Sequence, residues 1–283
     1  MVTLTTVKDI VNHLNSYKKQ DKAIGFVPTM GALHEGHISL IHTAKHADQF
    51  VVCSIFVNPT QFNNPKDFEK YPITIEKDIQ LLTDAGCDLL FLPDVTEMYP
   101  NGTKSSVHYD IGFIETILDG KYRPGHFQGV CQVVKRLLEI VSPHTLYLGQ
   151  KDYQQCMVIK KLIEITGMQT KIVICPTKRE ADGLAMSSRN MRLTADERKK
   201  AVLISQSLLF IKNEIKTGYT DVLKERVTGF LNAEGFKVDY VEISDADTLN
   251  PVDYWNGKQP LVALVAAFLN EVRLIDNMLL TDN

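Results

Sequence analysis

Short, continuously apolar runs alternate with helical segments over residues 24–176, and this alternation constrains the fold more than any other feature of the sequence. Gly, Pro or Asn ends these runs, which are Ile24–Pro28, Phe50–Val57, Asp88–Pro93, Thr145–Gly149 and Lys171–Pro176. A strand that is apolar along its whole length is buried on both faces, as in a parallel sheet covered by helices. The runs therefore predict a buried parallel sheet.

The segments between these strands have the spacing of amphipathic helices. Ile75, Ile79 and Leu82 are separated by four and three residues, and Gly86 ends that segment. Strand, helix and strand at this rhythm predict right-handed βαβ units, and so an α/β fold with a Rossmann-like, doubly wound parallel sheet. Ligands bind beyond the carboxyl ends of the strands in such sheets, so functional residues are expected there.

The rhythm changes after residue 176. Thr194 and Glu197 form a capping-box pattern that opens a long helix. Three later segments predict a small, mostly antiparallel sheet: Lys237–Ile243, Leu261–Ala267 and Glu271–Ile275. We therefore predict two domains, residues 1–176 and a smaller α+β domain of residues 177–283.

Composition excludes several classes of protein. The chain has 283 residues, is 44% apolar, and carries a net charge of −3, which rules out disorder as its main state and gives no bulk attraction to nucleic acid. Its longest apolar run, Leu261–Leu269, is about half of the roughly 20 residues that span a bilayer, and we read no signal peptide. Five scattered cysteines without a C-x-x-C pair predict reduced thiols and a cytoplasmic protein.

Two histidines stand where the first predicted strand gives way to a helix. His34, Gly36 and His37 form an H-x-G-H pattern, and we expect the helix to start near Ile38. Helix N-terminal amides favour anions, and imidazoles can donate to phosphate oxygens whose charge grows in a transition state. Nucleotidyltransferases that cleave ATP between the α- and β-phosphates use this pattern.

Other interpretations of these histidines exist. An isolated H-x-x-H is often two surface residues, and His42 and His46 could share a helix face as metal ligands. The order H-E-x-x-H of zinc proteases is not present, and neither is the P-loop pattern G-x-x-x-x-G-K-[ST]. We therefore expect neither a zinc-protease site nor P-loop chemistry, and we predict no protein-bound metal.

Three further segments follow strands or open helices. Asn58 and Gln61 could bind hydroxyl or carboxylate groups, although Asn-Pro also starts turns. Lys151 could meet a phosphate, and Asp152 could cap a helix or take a ribose hydroxyl; alternatively, they are an exposed pair without a role. Arg123 could bind a carboxylate or phosphate, or lie in a surface turn.

A polar stretch, residues 177–190, follows the last parallel strand. Its Asp-Gly step, its two serines and Arg189 would suit a flexible loop that closes over pyrophosphate. By composition alone it would be a polar linker.

Five sequence runs together resemble the pantoate–β-alanine ligase (pantothenate synthetase) family of H-x-G-H nucleotidyltransferases. In order along the chain they are GFVPTMGALHEGHISL, FVNPTQF, KYRPGHFQGV, GQKDYQQ and DGLAMSSRNMRL. The resemblance implies a nucleotide- and pantoate-binding Rossmann-like domain, a C-terminal lid domain and a homodimer. It also implies ATP-dependent condensation of D-pantoate with β-alanine through a pantoyl adenylate, with Mg²⁺ accompanying ATP.

The resemblance also implies roles for individual residues. His37, as proton donor, His34 and Lys151 would be catalytic. The ATP-binding residues would be Met30, Gly31, Ala32, Leu33, His34, Glu35, Gly36, His37, Gly149, Gln150, Lys151, Asp152, Lys178, Met186, Ser187, Ser188 and Arg189. The pantoate pocket would be formed by Gln61, Gln155, Asn58 and Arg123, with His126 in the same wall. The chain departs from the family pattern at Ile73, Gln150 and Lys178.

Two rival functions remain. A nucleotidyltransferase that acts on a phosphate substrate would need additional Lys or Arg near Asn58 and Gln61, where the sequence has neutral amides. A non-catalytic nucleotide-binding protein would be expected to lack the histidines or Lys151, which are all present.

Overall fold

The chain divides into two compact units in a computed structural model that describes residues 1–20, 22–63, 65–104 and 106–281. The first unit comprises Met1–Gly149 and Val158–Pro176, and the second unit comprises Gln150–Met157 and Thr177–Asn283. Among the described residues, no helix combines the length and apolarity needed to cross a bilayer.

The first unit contains a parallel sheet of six strands within the described residues. The strand order is β1-β4-β3-β2-β5-β6, and every neighbouring pair is parallel. The strands are β1 (Val2–Leu4), β2 (Ile24–Thr29), β3 (Phe50–Ile55), β4 (Leu89–Phe91), β5 (Thr145–Gly149) and β6 (Lys171–Cys175). This confirms the predicted doubly wound α/β fold and adds β1, a short edge strand that the sequence analysis missed.

Helices connect the strands of this sheet. They are α1 (Val7–Lys18), α2 (Glu35–His46), α3 (Pro65–Glu69), α4 (Ile75–Asp84), α5 (Val95–Met98), α6 (Leu118–Tyr122), α7 (His126–Val141) and α8 (Tyr153–Thr166). The predicted start of α2 was late. α2 begins at Glu35 rather than near Ile38, because the His34 side chain caps it.

The core of the first unit lies between its central strands and helices. Phe26 on β2 and Phe91 on β4 are fully buried, as are Ile41 on α2 and Leu82 on α4. Burying a side chain of this size contributes about 1.5–3 kcal/mol relative to exposure. The residues just beyond the carboxyl ends of β2 and β3 are therefore held by a rigid, apolar framework.

The second unit is α+β, as predicted. Its main sheet is antiparallel with the order β11-β10-β8, and the pair β7-β9 is separate. The elements are α9 (Ala195–Glu214), β7 (Gly218–Tyr219), α10 (Asp221–Ala233), β8 (Phe236–Asp245), β9 (Tyr254–Trp255), β10 (Leu261–Leu269) and β11 (Val272–Leu279). The capping box of Thr194 and Glu197 at the start of α9 is confirmed.

The apolar sides of α9 and α10 cover the antiparallel sheet. Leu208 and Ile211 on α9, Leu231 on α10 and Val265 on β10 are fully buried within one cluster. This packing leaves β11, at the sheet's edge, with a fixed register, in which Asn277 lies opposite Leu264.

Candidate active site

A strained turn in the first unit leads from β2 into α2. Gly31 has φ +82° and Ala32 has φ +48°, and the left-handed region is unfavourable for an alanine because of its Cβ. The Asp78 carboxylate on α4 holds this turn: it accepts from the Ala32 N–H at 2.9 Å and from the Leu33 N–H at 2.8 Å. The Thr74 hydroxyl donates to the same carboxylate at 3.0 Å. Asp78 is fully buried, so it fixes the backbone that enters the H-x-G-H segment.

The two histidines of that segment cap α2 with their side chains. The His34 Nδ1 accepts from the Gly36 N–H at 3.1 Å, and the His37 Nδ1 accepts from the His34 N–H at 3.3 Å. Their ring centroids are 4.1 Å apart. A ring nitrogen that accepts an N–H bond carries no proton, so each neutral imidazole carries its proton on Nε2. The N-terminus of α2, whose amides and dipole favour an anion, is therefore flanked by two Nε2–H donors.

A second group of predicted residues meets near the end of β3. The Gln61 Nε2 lies 2.7 Å from the Met30 Sδ. The His126 Nδ1 lies 2.7 Å from the Gln61 carbonyl oxygen, which can only accept, so this nitrogen carries the proton. The Arg123 Nη1 donates to the other ring nitrogen of His126 at 3.1 Å. Met30, Gln61, Arg123 and His126 thus form one hydrogen-bonded group, in which Arg123 and His126 support the Gln61 backbone.

Asn58 holds the turn that carries Gln61. Its Nδ2 donates to the Gly129 carbonyl at 3.2 Å and to the Thr60 hydroxyl at 2.9 Å, and its Oδ1 accepts from the Tyr99 hydroxyl at 2.9 Å. Asn58 is only 1% exposed. Its amide is engaged with the protein, so the turn role suggested by the Asn-Pro step is present, and direct contact with a substrate remains a prediction.

Gly129 on α7 lies directly against the same turn. A Cβ at this position would come within 2.2 Å of the Thr60 carbonyl oxygen and 2.9 Å of the Gln61 Cα. Only glycine therefore lets α7 support the turn at this distance.

In the second unit, a 3₁₀ turn (Gln150–Asp152) opens α8 and carries Lys151. The Asn277 Nδ2 on β11 donates to the carbonyls of Gln150 and Lys151, at 2.9 and 2.8 Å. Lys151 and Gln155 are half-buried, and Asp152 is exposed. Asp152 is the last residue of this 3₁₀ turn, and Gln155 lies in the first turn of α8, four residues after Lys151.

The stretch after residue 177, for which the sequence left open a loop that closes over pyrophosphate or a polar linker, forms a hydrogen-bonded hairpin. The Met186 N–H donates to the Lys178 carbonyl at 3.0 Å, and Arg179 forms an antiparallel bridge with Ala185. The Asn190 amide donates to the Ala185 carbonyl at 2.9 Å. Backbone pairing therefore fixes the two strands of this hairpin.

The serines lie at the end of the hairpin. The Ser187 hydroxyl accepts from the Arg189 N–H at 3.3 Å and caps a 3₁₀ helix (Ser188–Arg192). Ser188 is buried, while Ser187 and Arg189 are half-buried. The segment that the resemblance assigns to the phosphates is thus a structured helix start.

The predicted site residues divide between the two units. The first unit contains Met30, Gly31, Ala32, Leu33, His34, Glu35, Gly36, His37, Asn58, Gln61, Arg123 and Gly149. The second unit contains Gln150, Lys151, Asp152, Gln155, Lys178, Met186, Ser187, Ser188 and Arg189. Their assigned roles stay predictions.

Among the side chains that the structure describes, no group of three or more His, Cys, Asp or Glu residues is arranged to hold a metal ion. His42 and His46 therefore belong to no such cluster.

Sequence reasoning missed several residues that hold the site. Asp78 stands three residues after Ile75 in the apolar stripe of α4, and an acidic residue on a buried stripe was a detectable signal. Gly129, inside a strongly apolar helix, was another. Arg179 and Asn277 gave no local signal, because the contacts between them join residues 98 positions apart.

Known proteins resemble the whole chain. A sequence model of the family described as Pantoate-beta-alanine ligase matches residues 2–279. A pantothenate synthetase of Cytophaga hutchinsonii is 45% identical over 283 residues, and one of Acetivibrio thermocellus is 46% identical over 282 residues. Each comparison covers 99% of this chain and 99% of the relative.

Solved structures are similar as well. Pantothenate synthetase from Thermus thermophilus gives a TM-score of 0.91 at 40% identity and covers 100% of both chains. A pantoate–β-alanine ligase from Francisella tularensis, in complex with beta-gamma ATP and beta-alanine, gives 0.84 at 41% identity, covering 99% of this chain and 98% of that one. With matches of this identity and coverage, the chain belongs to the pantoate–β-alanine ligase family.

Proposed function

We propose that this protein condenses D-pantoate with β-alanine at the expense of ATP, forming pantothenate, AMP and pyrophosphate through a pantoyl adenylate. Family membership over residues 2–279 supports the overall reaction. The observation that carries the chemistry is the N-terminus of α2, where the Nδ1 contacts of His34 and His37 place the imidazole protons on Nε2.

The first step is adenylation. A pantoate carboxylate oxygen forms a bond to the α-phosphorus of ATP, and the bond from that phosphorus to the bridging oxygen breaks, so pyrophosphate leaves with the electron pair. A carboxylate needs no base to act as nucleophile, so the protein supplies position and charge stabilisation. Nε2–H donors of His34 and His37 at a helix N-terminus suit the negative charge that develops on phosphate oxygens.

Cationic and hydroxyl groups of the second unit would contribute to the same step. Lys151 offers an ammonium group to a phosphate oxygen. Ser187, Ser188 and Arg189 stand at the start of a 3₁₀ helix, where side-chain and backbone donors can meet phosphate oxygens. We propose that these groups bind the triphosphate and stabilise the leaving pyrophosphate.

Pantoate would be recognised by amides. His126 bonds the backbone carbonyl of Gln61, and the Gln61 side chain contacts the Met30 sulfur. With Gln155, it offers neutral donors and acceptors that suit the hydroxyls and carboxylate of pantoate. Asn58 would act by holding the Gln61 turn, in addition to the contact that the resemblance implies.

The second step forms the amide bond. The β-alanine amine attacks the acyl carbon of the adenylate, and the bond from that carbon to the phosphate oxygen breaks. AMP leaves with the electron pair, and its phosphate can take the proton that the attacking nitrogen gives up. An acyl adenylate reacts with water, so this step requires a site that excludes solvent.

Mg²⁺ is expected as part of the Mg–ATP substrate, because the ion is usually held by substrate phosphates with one or two carboxylates.

All five cysteines are free and buried, which supports the proposal of a cytoplasmic protein. A homodimer, a nucleotide- and pantoate-binding domain of residues 1–176 and a lid domain of residues 177–283 stay predictions based on the family resemblance.

Exchange of labelled pyrophosphate into ATP tests the proposal. With Mg²⁺ and D-pantoate, the protein should catalyse exchange without β-alanine, and adding β-alanine should release AMP and pantothenate. His37→Ala should slow exchange by about 10²-fold, the usual loss for one donor to a developing charge. His42→Ala, which alters an exposed histidine on the same helix, is the matched control and should leave exchange unchanged.

Two results would contradict this proposal. Folded protein that binds ATP but catalyses no pantoate-dependent exchange would mean that the substrate pocket serves another carboxylate. Equal rates for His37→Ala and His42→Ala would remove His37 from the adenylation step.

A further inference from the structure

We propose that Asn277 is a positioning residue for adenylation, which sets the backbone of the Gln150–Asp152 turn and thereby the position of Lys151. We further infer that Arg179 and Asp276 tie this turn to the hairpin of residues 178–186. This inference deepens the proposed function and rests on its assignment of Lys151 to ATP.

The side chain of Asn277 is devoted to the turn. Its Nδ2 donates to the carbonyls of Gln150 and Lys151, at 2.9 and 2.8 Å, and its Oδ1 accepts from the Gln150 Nε2 at 3.2 Å. Asn277 is 2% exposed, so its amide is shielded from water and bonds the turn instead. Both hydrogens of its amide therefore hold the two peptide units that flank the Cα of Lys151.

Asn277 is in turn held by its neighbour on β11. The Asp276 carboxylate accepts from the Asn277 N–H at 2.8 Å and from the Arg179 guanidinium at 2.6 and 3.0 Å. Burial raises the pKa of the Asp276 carboxyl, and the Arg179 charge opposes that shift. A bidentate arginine pair of this kind fixes orientation as well as distance.

The same guanidinium reaches the hairpin and the strand. Arg179 donates to the Gly183 carbonyl at 3.1 Å and to the Asn277 carbonyl at 3.2 Å, while its backbone pairs with Ala185. The half-buried Arg179 side chain thus contacts both the hairpin that leads to Met186 and strand β11, whose Asn277 bonds the turn that carries Lys151. The two phosphate-binding segments of the second unit share this support.

Position matters here because Lys151 acts, under the proposed function, on a reacting phosphate. Displacement of the turn moves the Cα of Lys151 and with it the ammonium group. A misplacement of about 1 Å can lower a rate by about 10²-fold. Loss of the two Asn277 donors should therefore reduce the rate of adenylation more than it reduces the affinity for pantoate.

A double-mutant cycle in pyrophosphate exchange tests the inference. We expect Asn277→Ala and Lys151→Ala each to lower the exchange kcat by about 10²-fold. If Asn277 acts through Lys151, the double variant should be no slower than Lys151→Ala within about threefold. Losses that multiply to about 10⁴-fold would overturn the inference while leaving the proposed function intact.

A near-normal rate for Lys151→Ala would overturn both the role proposed for Lys151 and the inference that depends on it. The KM for pantoate provides a separate readout: it should change less than threefold in Asn277→Ala, and a rise as large as the loss of kcat would overturn the inference.

Asn277→Asp is the second variant should Asn277→Ala fail to fold. It keeps the shape of the side chain but turns an oxygen towards the two carbonyls, so the same loss of kcat is expected.

Asp239→Asn is the matched control for a general effect on stability. The Arg273 Nε donates to Asp239 at 2.8 Å, so this pair joins β11 to β8. Among the contacts described, Asp239 bonds neither the Gln150–Asp152 turn nor the hairpin. We expect Asp239→Asn to lower the melting temperature and to leave exchange within twofold of normal. If it slowed exchange as much as Asn277→Ala does, the positioning role would be refuted.

Discussion

The buried carboxylate of Asp78 offers a direct test of how the turn before α2 is held. Asp78 accepts three hydrogen bonds, from the N–H groups of Ala32 and Leu33 and from the Thr74 hydroxyl. Asp78→Asn keeps the size of the side chain but replaces one acceptor oxygen with an NH₂ group. At least one of the two backbone N–H groups then faces another donor inside the protein.

The expected loss of stability follows from these contacts. A hydrogen bond to a charged group contributes about 1.5–3 kcal/mol, and leaving a buried donor unsatisfied costs about 1–3 kcal/mol. Relief of carboxylate burial offsets a part of this loss. We therefore expect Asp78→Asn to lower the free energy of unfolding by about 2–3 kcal/mol, and Asp78→Ala, which loses all three hydrogen bonds, by about 3–5 kcal/mol.

Function should suffer as well, because Ala32 is kept in a left-handed conformation that costs about 1–2 kcal/mol. Without the Asp78 carboxylate this turn can relax, which moves His34 and His37, and pyrophosphate exchange should fall at least tenfold. Urea denaturation measures the free energy of unfolding. If the slope of this free energy against urea concentration is the same for the variant and the unchanged protein, both expose a similar surface on unfolding and their stabilities can be compared.

Asp84→Asn is the control for Asp78→Asn. Asp84 lies on the same helix and bonds only the exposed Gln80 side chain, at 2.8 Å, among the contacts described. It should change stability by less than about 0.5 kcal/mol. If Asp78→Asn were as stable and as active as Asp84→Asn, the reasoning about the turn would be refuted.

Three other outcomes are expected. Gly129→Ala should raise the KM for pantoate more than the KM for ATP in steady-state kinetics, because its Cβ would collide with the Thr60 carbonyl and displace Gln61; equal changes would argue against this placement. Thiol reagents should label no cysteine in the native protein and all five after unfolding, since burial raises the pKa of Cys87 and of Cys131 to about 12. The Cys87 and Cys131 thiols ionise near pH 9.0 in the unfolded chain but stay protonated in the folded one, so the free energy of unfolding should fall as the pH rises from about 9 to 12. A free energy of unfolding that does not change over this range would contradict the expectation.

The parallel sheet could be predicted because its signal is local. β2, β5 and β6 differ from the predicted runs by no more than one residue at an end, since each is a short apolar run that Pro, Gly or a polar turn follows. β3 ends at Ile55, two residues before the predicted end, because Phe56 and Val57 already belong to the connection. β1 was missed because three partly exposed residues at a sheet edge carry no burial pattern.

The H-x-G-H segment was also visible, but its geometry was not. A histidine is an unusual N-cap, so the predicted start of α2 near Ile38 fell three residues late. The caps formed by His34 and His37 also decide which ring nitrogen carries the proton. That assignment depends on the backbone around the rings, which a pattern of letters does not specify.

The sequence by itself determined the alternation of the central parallel strands with helices, the residue types at each strand end and the family resemblance, because these depend on residues close together in the chain. Only the tertiary structure decided which groups hold them. Asp78 reaches back 46 residues to Ala32, and Asn277 reaches back 126 residues to Lys151. Such contacts form only when buried polar groups are brought together by packing and must find partners away from water, and packing is a property of the whole fold.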